Sequence, residues 1–152
     1  MGVPMAHAKS LSALTAPAQA LLGSDAVAHV WTANADGSPQ VSVVWVLVQD
    51  DEIWFGCDRA SRKAQNLRRD AAVVLSIEDN VRNASGFQRH LVVRGRAELI
   101  DVPDPSMMDR LAHKYTGLAR HPLALRDSAT AVMVRVAIDR ISGVGPWVEP
   151  TT

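Results

Sequence analysis

The chain has 152 residues, of which 47% are hydrophobic and 21% charged, and its formal net charge is zero. This length predicts a single domain with its own core, and the composition excludes a disordered chain. The zero net charge disfavours non-specific nucleic-acid binding, which normally needs a strong basic excess. The single cysteine, Cys57, rules out an intrachain disulfide and favours a reducing, cytoplasmic location.

The N-terminal part of the chain is expected to contain a loose tail over residues 1–10, followed by the domain over residues 11–148. Pro17 suits the first turn of a helix and Gly23 its C-terminal end, which predicts a short helix over about residues 16–22. The longest apolar run, residues 41–48, is far shorter than the ~18 residues that a membrane-spanning helix needs.

A β-rich segment at residues 26–33 and a turn at residues 34–39 lead into a predicted β-hairpin. Its two apolar runs, residues 41–48 and 53–57, flank the polar turn 49–52. From Val43 onward the first of these strands is apolar on both faces. We therefore expect one face to lie on the core and the other to be covered by a second element or a second subunit.

A short helix is predicted directly after the hairpin. Ser61 is a good N-cap, and Ala60, Ala64 and Leu67 give the helix one apolar face. Five cations surround its start: Arg59, Arg62, Lys63, Arg68 and Arg69. A helix N-terminus presents unpaired N–H groups and a partial positive charge, so this segment could bind a phosphate. Charge runs are more often the solvated side of a surface helix, and composition leaves both interpretations open.

The second half of the chain adds strands at residues 72–78, 89–100 and 129–138 and a helix at residues 106–115. In the strand 89–100, His90 lies on the more polar side, where it could face a ligand or solvent, and Gly95 marks a bulge or a close approach. Residues 79–86 are expected to form a polar loop, residues 118–127 a loop or short helix, and residues 141–147 a turn-rich tail. Six strands in consecutive runs favour an antiparallel barrel over a doubly wound sheet.

Several kinds of chemistry lack a sequence signal. The chain has no G-x-G-x-x-G or Walker-type element, no metal-ligand spacing among its five histidines, and no nucleophile-elbow motif. Its tryptophans, Trp31, Trp45, Trp54 and Trp147, are most simply core or interface residues. Trp147 follows a Gly-Pro pair near the end of the chain, so it is the tryptophan best placed to contact a ligand instead.

Four segments together resemble a known family: Gly-Ser-Pro-Gln-Val-Ser at 37–42, Ser-Arg-Lys-Ala-Gln-Asn-Leu-Arg-Arg-Asp at 61–70, Val-Arg-Gly-Arg-Ala-Glu-Leu at 93–99 and Lys-Tyr-Thr-Gly at 114–117. Their order over about residues 10–148 resembles the pyridoxamine 5'-phosphate oxidase-like split β-barrel family, and more closely its actinobacterial branch, which uses the deazaflavin coenzyme F420. The resemblance implies a mainly β fold, a six-stranded antiparallel split barrel with short flanking helices. It also implies a homodimer with two cofactor sites between the subunits.

The resemblance further implies which residues contact the cofactor. Arg62 and Lys63 would hold its phosphate, with Ser61 and Asn66 nearby, and the partner subunit would contribute His90 and Trp147. The expected contacts along the ring system come from the strand that begins at Gln40, namely Gln40, Ser42, Val43, Val44 and Trp45, and Cys57 completes the set. No catalytic side chain and no metal ligand is assigned.

The activity implied by the resemblance is hydride transfer between bound F420 and a small organic acceptor. The alternatives are an FMN-dependent oxidoreductase of the same fold and a non-catalytic module that binds flavin, deazaflavin or haem. The vitamin B6 oxidase itself is longer and carries a C-terminal Arg-Leu substrate element. No such element follows Pro146, so oxidation of pyridoxamine phosphate is not expected.

Overall fold

The computed structural model describes residues 14–101, 104–118 and 130–147. They form seven strands and three helices in the order α1 (Ala16–Gly23), β1 (Ala28–Ala33), β2 (Pro39–Val44), β3 (Leu47–Gln49), β4 (Glu52–Asp58), α2 (Arg62–Arg69), β5 (Ala72–Arg82), β6 (Gln88–Ile100), α3 (Pro105–Thr116) and β7 (Ala131–Val144). The expectations for residues 1–10 and 119–127 fall outside the described residues.

All seven strands belong to one antiparallel sheet with the order β2-β1-β5-β6-β7-β4-β3. The mainly β, antiparallel class is confirmed, but the predicted count of six strands is wrong. The predicted strand 41–48 breaks at Trp45 and Val46, and its two halves lie at opposite edges of the sheet. Because only these two residues join the edges, the sheet must curl until its edges approach each other.

Only the second half of the first predicted hairpin strand pairs with the second hairpin strand. β3 pairs with β4, and the turn residues Asp50 and Asp51 both have positive φ, 53° and 64°. Two consecutive positive φ values define the type I′ turn that suits the twist of a two-residue hairpin. β2 instead pairs along its full length with β1.

The inner faces of the strands form the main core, to which α1 and α2 contribute. Representative buried residues are Leu22 from α1, Val30 from β1, Phe55 from β4, Leu67 from α2 and Val134 from β7. A second apolar cluster lies under α3, where Met107, Met108 and Leu111 pack against Leu47, Trp54, Ala131 and Met133. The sheet is therefore covered on its outer side by α3 where β3, β4 and β7 lie.

The predicted alternation in β6 is confirmed, since Leu91 and Val93 are buried and Arg94 and Arg96 exposed. Gly95 was expected to mark a bulge or a close approach of another group, and the structure shows both. The β6–β7 register shifts between Arg94 and Gly95, and a Cβ at Gly95 would lie 2.1 Å from the Ala137 carbonyl oxygen.

Strands β5 and β7 are longer than predicted. β5 continues to Arg82, through the first half of the polar segment 79–86, and β7 continues to Val144, into the predicted turn-rich tail. Both extensions arise because pairing with β6 supplies partners for their backbone groups, which overrides weak local strand propensity.

The predicted helices α1 and α3 are confirmed, with N-caps Thr15 and Asp104. α3 ends at Gly117, which has a φ of +78° as expected for a helix C-cap glycine. Among the described residues, no helix combines the length and apolar character needed to cross a bilayer.

Candidate functional site

The start of α2 leaves two backbone N–H groups uncommitted. The Ser61 hydroxyl accepts from the Ala64 N–H at 3.2 Å, as predicted for an N-cap. The N–H groups of Ala60 and Ser61 are bound to Asp58. Those of Arg62 and Lys63 have no partner in the described part of the chain, so they remain available to an anion. Ala60 lies in the preceding turn and is exposed, so its predicted place on the apolar face is wrong.

Three of the five cations around α2 are engaged within the protein. Arg59 and Arg68 both form salt bridges with Asp101, at 2.6 and 3.0 Å. Arg69 donates to the Ala33 carbonyl oxygen at the end of β1. These three side chains attach α2 to the neighbouring strands and contribute to the fold.

Arg62 and Lys63 are not engaged in this way. Neither side chain has a salt bridge or hydrogen bond within the described residues. The Arg62 side chain is exposed and that of Lys63 is half-buried. The backbone N–H groups of these same two residues also have no partner in the described part of the chain. The first turn of α2 therefore offers two cations and two backbone donors to one ligand.

Asn66 connects α2 to the β1–β2 pair. Its amide donates to the Thr32 hydroxyl and to Asn34 Oδ1, both at 3.0 Å, and the Thr32 hydroxyl donates to Gln40 Oε1 at 3.1 Å. Asn66 and Thr32 are buried, so this network fixes the position of α2 against the start of β2. Thr32 and Asn34 had no recognisable signal in the sequence, because a strand threonine and a turn asparagine are common.

The turn between β1 and β2 brings a carboxylate close to the start of α2. The Ser38 hydroxyl and N–H hold the pKa of Asp36 below its usual value, and the nearby Arg62 guanidinium lowers it slightly further. Asp36 therefore stays ionised and marks the acidic edge of an otherwise cationic surface.

β2 is an edge strand, so one row of its backbone groups has no strand partner. Val41 and Val43 project to the outside and are 60% and 55% exposed, whereas Val44 belongs to the core. Ser42 Oγ is buried and makes no hydrogen bond in the described structure. A buried hydroxyl without a partner costs ~1–3 kcal/mol, so a ligand that supplies one would be favoured there.

Trp45 begins the crossover from β2 to β3 and is held by α3. Its ring stacks on that of Tyr115, with centroids 5.3 Å apart and planes 5° from parallel. The Tyr115 hydroxyl accepts from the Val46 N–H at 3.1 Å and donates to the Ala26 carbonyl oxygen at 2.8 Å. The end of β2 is therefore held in one position.

Lys114 holds the same crossover from the other side. Its Nζ donates to the carbonyl oxygens of Val46 at 2.7 Å and Leu22 at 3.0 Å. Burial lowers the pKa of Lys114 to about 8, and the Asp25 carboxylate opposes that shift. The Lys-Tyr pair at 114–115 thus joins α1, α3 and the crossover.

Cys57 lies in β4 just before α2, and its side chain belongs to the main core. Burial raises the pKa of its thiol, an effect that a hydrogen bond with Ser61 and the nearby Lys63 ammonium partly offset. A buried, protonated thiol packs as a small apolar group and supports the start of α2 from below.

His90 and Trp147 lie at the other end of the sheet. Asp101, which contacts Arg68 of α2, follows directly after β6. His90 lies near the start of β6, eleven residues before Asp101, and an extended strand of that length spans roughly 35 Å. The Trp147 indole N–H donates to the His90 carbonyl oxygen at 2.8 Å. Within one chain, these two residues therefore lie far from the start of α2.

Trp147 is also a core residue of its own chain. Its side chain is only 2% exposed, and the Arg89 guanidinium lies 5.1 Å from the ring centroid. The preceding Pro146 carbonyl oxygen accepts from the Thr15 hydroxyl at 2.6 Å, which attaches the C-terminal segment to the start of α1.

In the described residues, no three His, Cys, Asp or Glu side chains are close enough to hold a metal ion.

Comparison with known proteins identifies relatives of this fold. A protein described as an F420 reductase is 28% identical, with 82% of this chain and 94% of that chain covered and a TM-score of 0.69. A conserved hypothetical protein of Mycobacterium tuberculosis is 27% identical over 89% of this chain and 88% of that chain, with a TM-score of 0.68. A putative pyridoxamine 5'-phosphate oxidase of Listeria innocua, 17% identical over 83% and 94% of the two chains with a TM-score of 0.61, shares the fold.

No curated protein matches the sequence. The family model described as pyridoxamine 5'-phosphate oxidase matches residues 14–145. This range contains all three described helices and all seven described strands. The expected resemblance, including its F420 branch, is therefore supported by both sequence and structure. The chain belongs to the pyridoxamine 5'-phosphate oxidase family.

Proposed function

We propose that this protein is an oxidoreductase that binds coenzyme F420 and transfers a hydride between it and a small organic acceptor. The proposal rests on the side chains and N–H groups of Arg62 and Lys63, which have no hydrogen-bond or salt-bridge partner among the described residues. The structural neighbour described as an F420 reductase supports the choice of cofactor. FMN is the alternative, since both cofactors present a phosphate and a flat ring system.

The residues present fit such a group along one side of the molecule. Arg62 and Lys63 would hold the phosphate, and the strand from Gln40 to Trp45 leads away from it toward the other end of the sheet. The Ser42 hydroxyl and the unpaired backbone groups of the edge strand would meet polar atoms of the ligand. A bound deazaflavin or flavin supplies hydride transfer, and the protein supplies binding, orientation and exclusion of water.

A binding titration with F420 and FMN, side by side, tests this function. We expect the purified protein to bind F420 more tightly than FMN and to oxidise or reduce it in the presence of an acceptor. Tighter binding of FMN with flavin-dependent turnover would favour the alternative cofactor. Binding without turnover of any acceptor would indicate a carrier of flavin, deazaflavin or haem, and absence of binding would refute the proposal.

We also propose that the protein is a homodimer whose cofactor sites lie between the subunits. Val41 and Val43 are exposed on β2, and half-buried residues continue the same outer face across the sheet: Trp31, Val74 and Val92. Such a contiguous apolar face is typical of a protein interface. A second copy on this face could bring its His90 close to α2 of the first copy. Within one chain, His90 and α2 lie too far apart to meet.

Replacing Val43 with aspartate tests the dimer. The side chain is 55% exposed in the single chain, so the fold should tolerate the change, whereas a buried charge in a dimer interface should raise the dissociation constant at least about tenfold. Sedimentation equilibrium measures this constant. Val81→Asp, at a position 45% exposed on the β5–β6 hairpin, is the matched control and should leave it unchanged. A monomeric wild type, or equal effects of both variants, would contradict the proposal.

The location we propose is the reducing cytoplasm, because the one cysteine is a buried free thiol.

A further inference from the structure

We propose that a groove between α1, β1 and β5 is the acceptor site, and that its negative charge selects flat cationic acceptors over anionic ones. This inference rests on the proposed function and names the class of acceptor. The groove has a volume of about 690 Å³, which is within the usual range for small-molecule sites.

The groove lies at the end of the sheet where the proposed cofactor path finishes. The register of β1 with β2 places Gln40 opposite Thr32, beside α2, and Val44 opposite Ala28, at the other end. The groove is lined there by His29 of β1 and by Ala26 and Val27, which precede that strand. His29 is directly opposite Val43, so the groove begins one strand away from the predicted ring contacts.

One wall of the groove is apolar and rigid. It consists of Pro17, Ala20 and Leu21 from α1, together with Val27, which is 40% exposed. Leu21 is itself buried in the core, so α1 cannot shift without disturbing the core. This wall suits a flat, conjugated molecule that binds by burying apolar area.

The other wall carries an excess of carboxylates. Arg89 is engaged with Asp79 at 2.8 Å, and its guanidinium also lies over Trp147. Glu78 and Asp25 have no salt bridge in the described residues, although the Lys114 ammonium interacts electrostatically with Asp25. Glu78 is therefore the least compensated charge in the groove, whose lining carries three carboxylates and one guanidinium.

Two redox dyes of opposite charge test this inference: methylene blue, a flat cation, and indigo disulfonate, a flat dianion. The first measurement is dye binding to the cofactor-free protein by absorbance titration. We expect methylene blue to bind more tightly, and Glu78→Gln to weaken its binding about fivefold, the scale of one charge near a surface. Added salt should reduce the difference between wild type and variant.

The second measurement is dye reduction by the protein loaded with reduced cofactor. Reduction of methylene blue transfers one hydride, which is equivalent to two electrons and one proton, to the cation and gives the neutral leuco dye. Reduction of indigo disulfonate needs the same hydride and one further proton from solvent. We expect Glu78→Gln to raise KM for the cation and lower it for the dianion, with little change in kcat for either.

Glu98→Gln is the matched control. Glu98 is an exposed carboxylate on β6 that pairs with Arg135, eight residues along the strand from His90. This substitution should change neither the binding nor the KM of either dye. Equal binding of the two dyes, or equal effects of Glu78→Gln and Glu98→Gln, would overturn the groove assignment. If cofactor turnover persists in that case, the proposed function stands. If no cofactor binds while the dye preference is present, the proposed function fails and the groove remains a cation site.

Discussion

Replacing Arg62 and Lys63 together with alanine is expected to weaken cofactor binding about 100-fold. Each side chain would form a charge-assisted hydrogen bond to the phosphate, and the loss of both costs a few kcal/mol. Ten-fold in affinity corresponds to ~1.4 kcal/mol. Titration of the double variant with F420 and with FMN measures the effect, and the wild-type affinity should fall as salt is added.

The fold should survive this double substitution. Ser61 still caps α2, and Ala64, Asn66 and Leu67 still bury its inner face. Alanine is also the strongest helix former. The double variant Arg82→Ala/Arg140→Ala removes the same charge from two exposed arginines elsewhere and should bind normally. Wild-type affinity of the Arg62/Lys63 variant for both cofactors would refute the phosphate site.

Trp147→Ala is expected to lower the free energy of unfolding by ~3–5 kcal/mol, the usual cost of removing a buried tryptophan. The side chain is 2% exposed, and it donates a hydrogen bond to the His90 carbonyl oxygen. Its removal would leave a cavity between β6 and the C-terminal segment. Urea unfolding at one fixed protein concentration measures the loss.

Trp147→Phe separates packing from the hydrogen bond. It retains most of the ring and loses the indole N–H, so we expect the free energy of unfolding to fall by ~1–2 kcal/mol.

Stability and cofactor binding of the Trp147 variants together test the expectation that Trp147 contacts the ligand of the partner subunit. A Trp147→Ala variant of normal stability that binds cofactor poorly would assign the residue to the ligand instead of the core.

Much of the phosphate site could be predicted from local sequence. The N-cap Ser61, the helix after it and the cations around it are all short-range features, and they appear where the residues indicated. Which cations remain available could not be predicted. Arg59 and Arg68 are neutralised by Asp101, more than thirty residues later in the chain, and only the folded sheet brings them together.

The break at Trp45 and Val46 was equally beyond local reasoning. The run 41–48 contains no proline, no glycine and only one polar residue, so its apolar pattern indicates a continuous strand. The break is stabilised by distant groups, the Tyr115 hydroxyl and the Lys114 ammonium, which bind both backbone polar groups of Val46. In the same way, the cross-strand partners supplied by β6 extend β5 and β7 beyond their local signals.

The place of β7 in the strand order has a consequence for how the chain folds during synthesis. β7 is made last, yet it is an interior strand, with β6 on one side and β4 on the other. Ile53 pairs with Val136, so more than eighty further residues must be synthesised before the partner of β4 leaves the ribosome. A nascent chain that stops before residue 131 would expose unpaired edges on β4 and β6, and the sheet would be incomplete. Folding dominated by such distant pairings is slow, and chaperone contact during translation would protect those edges.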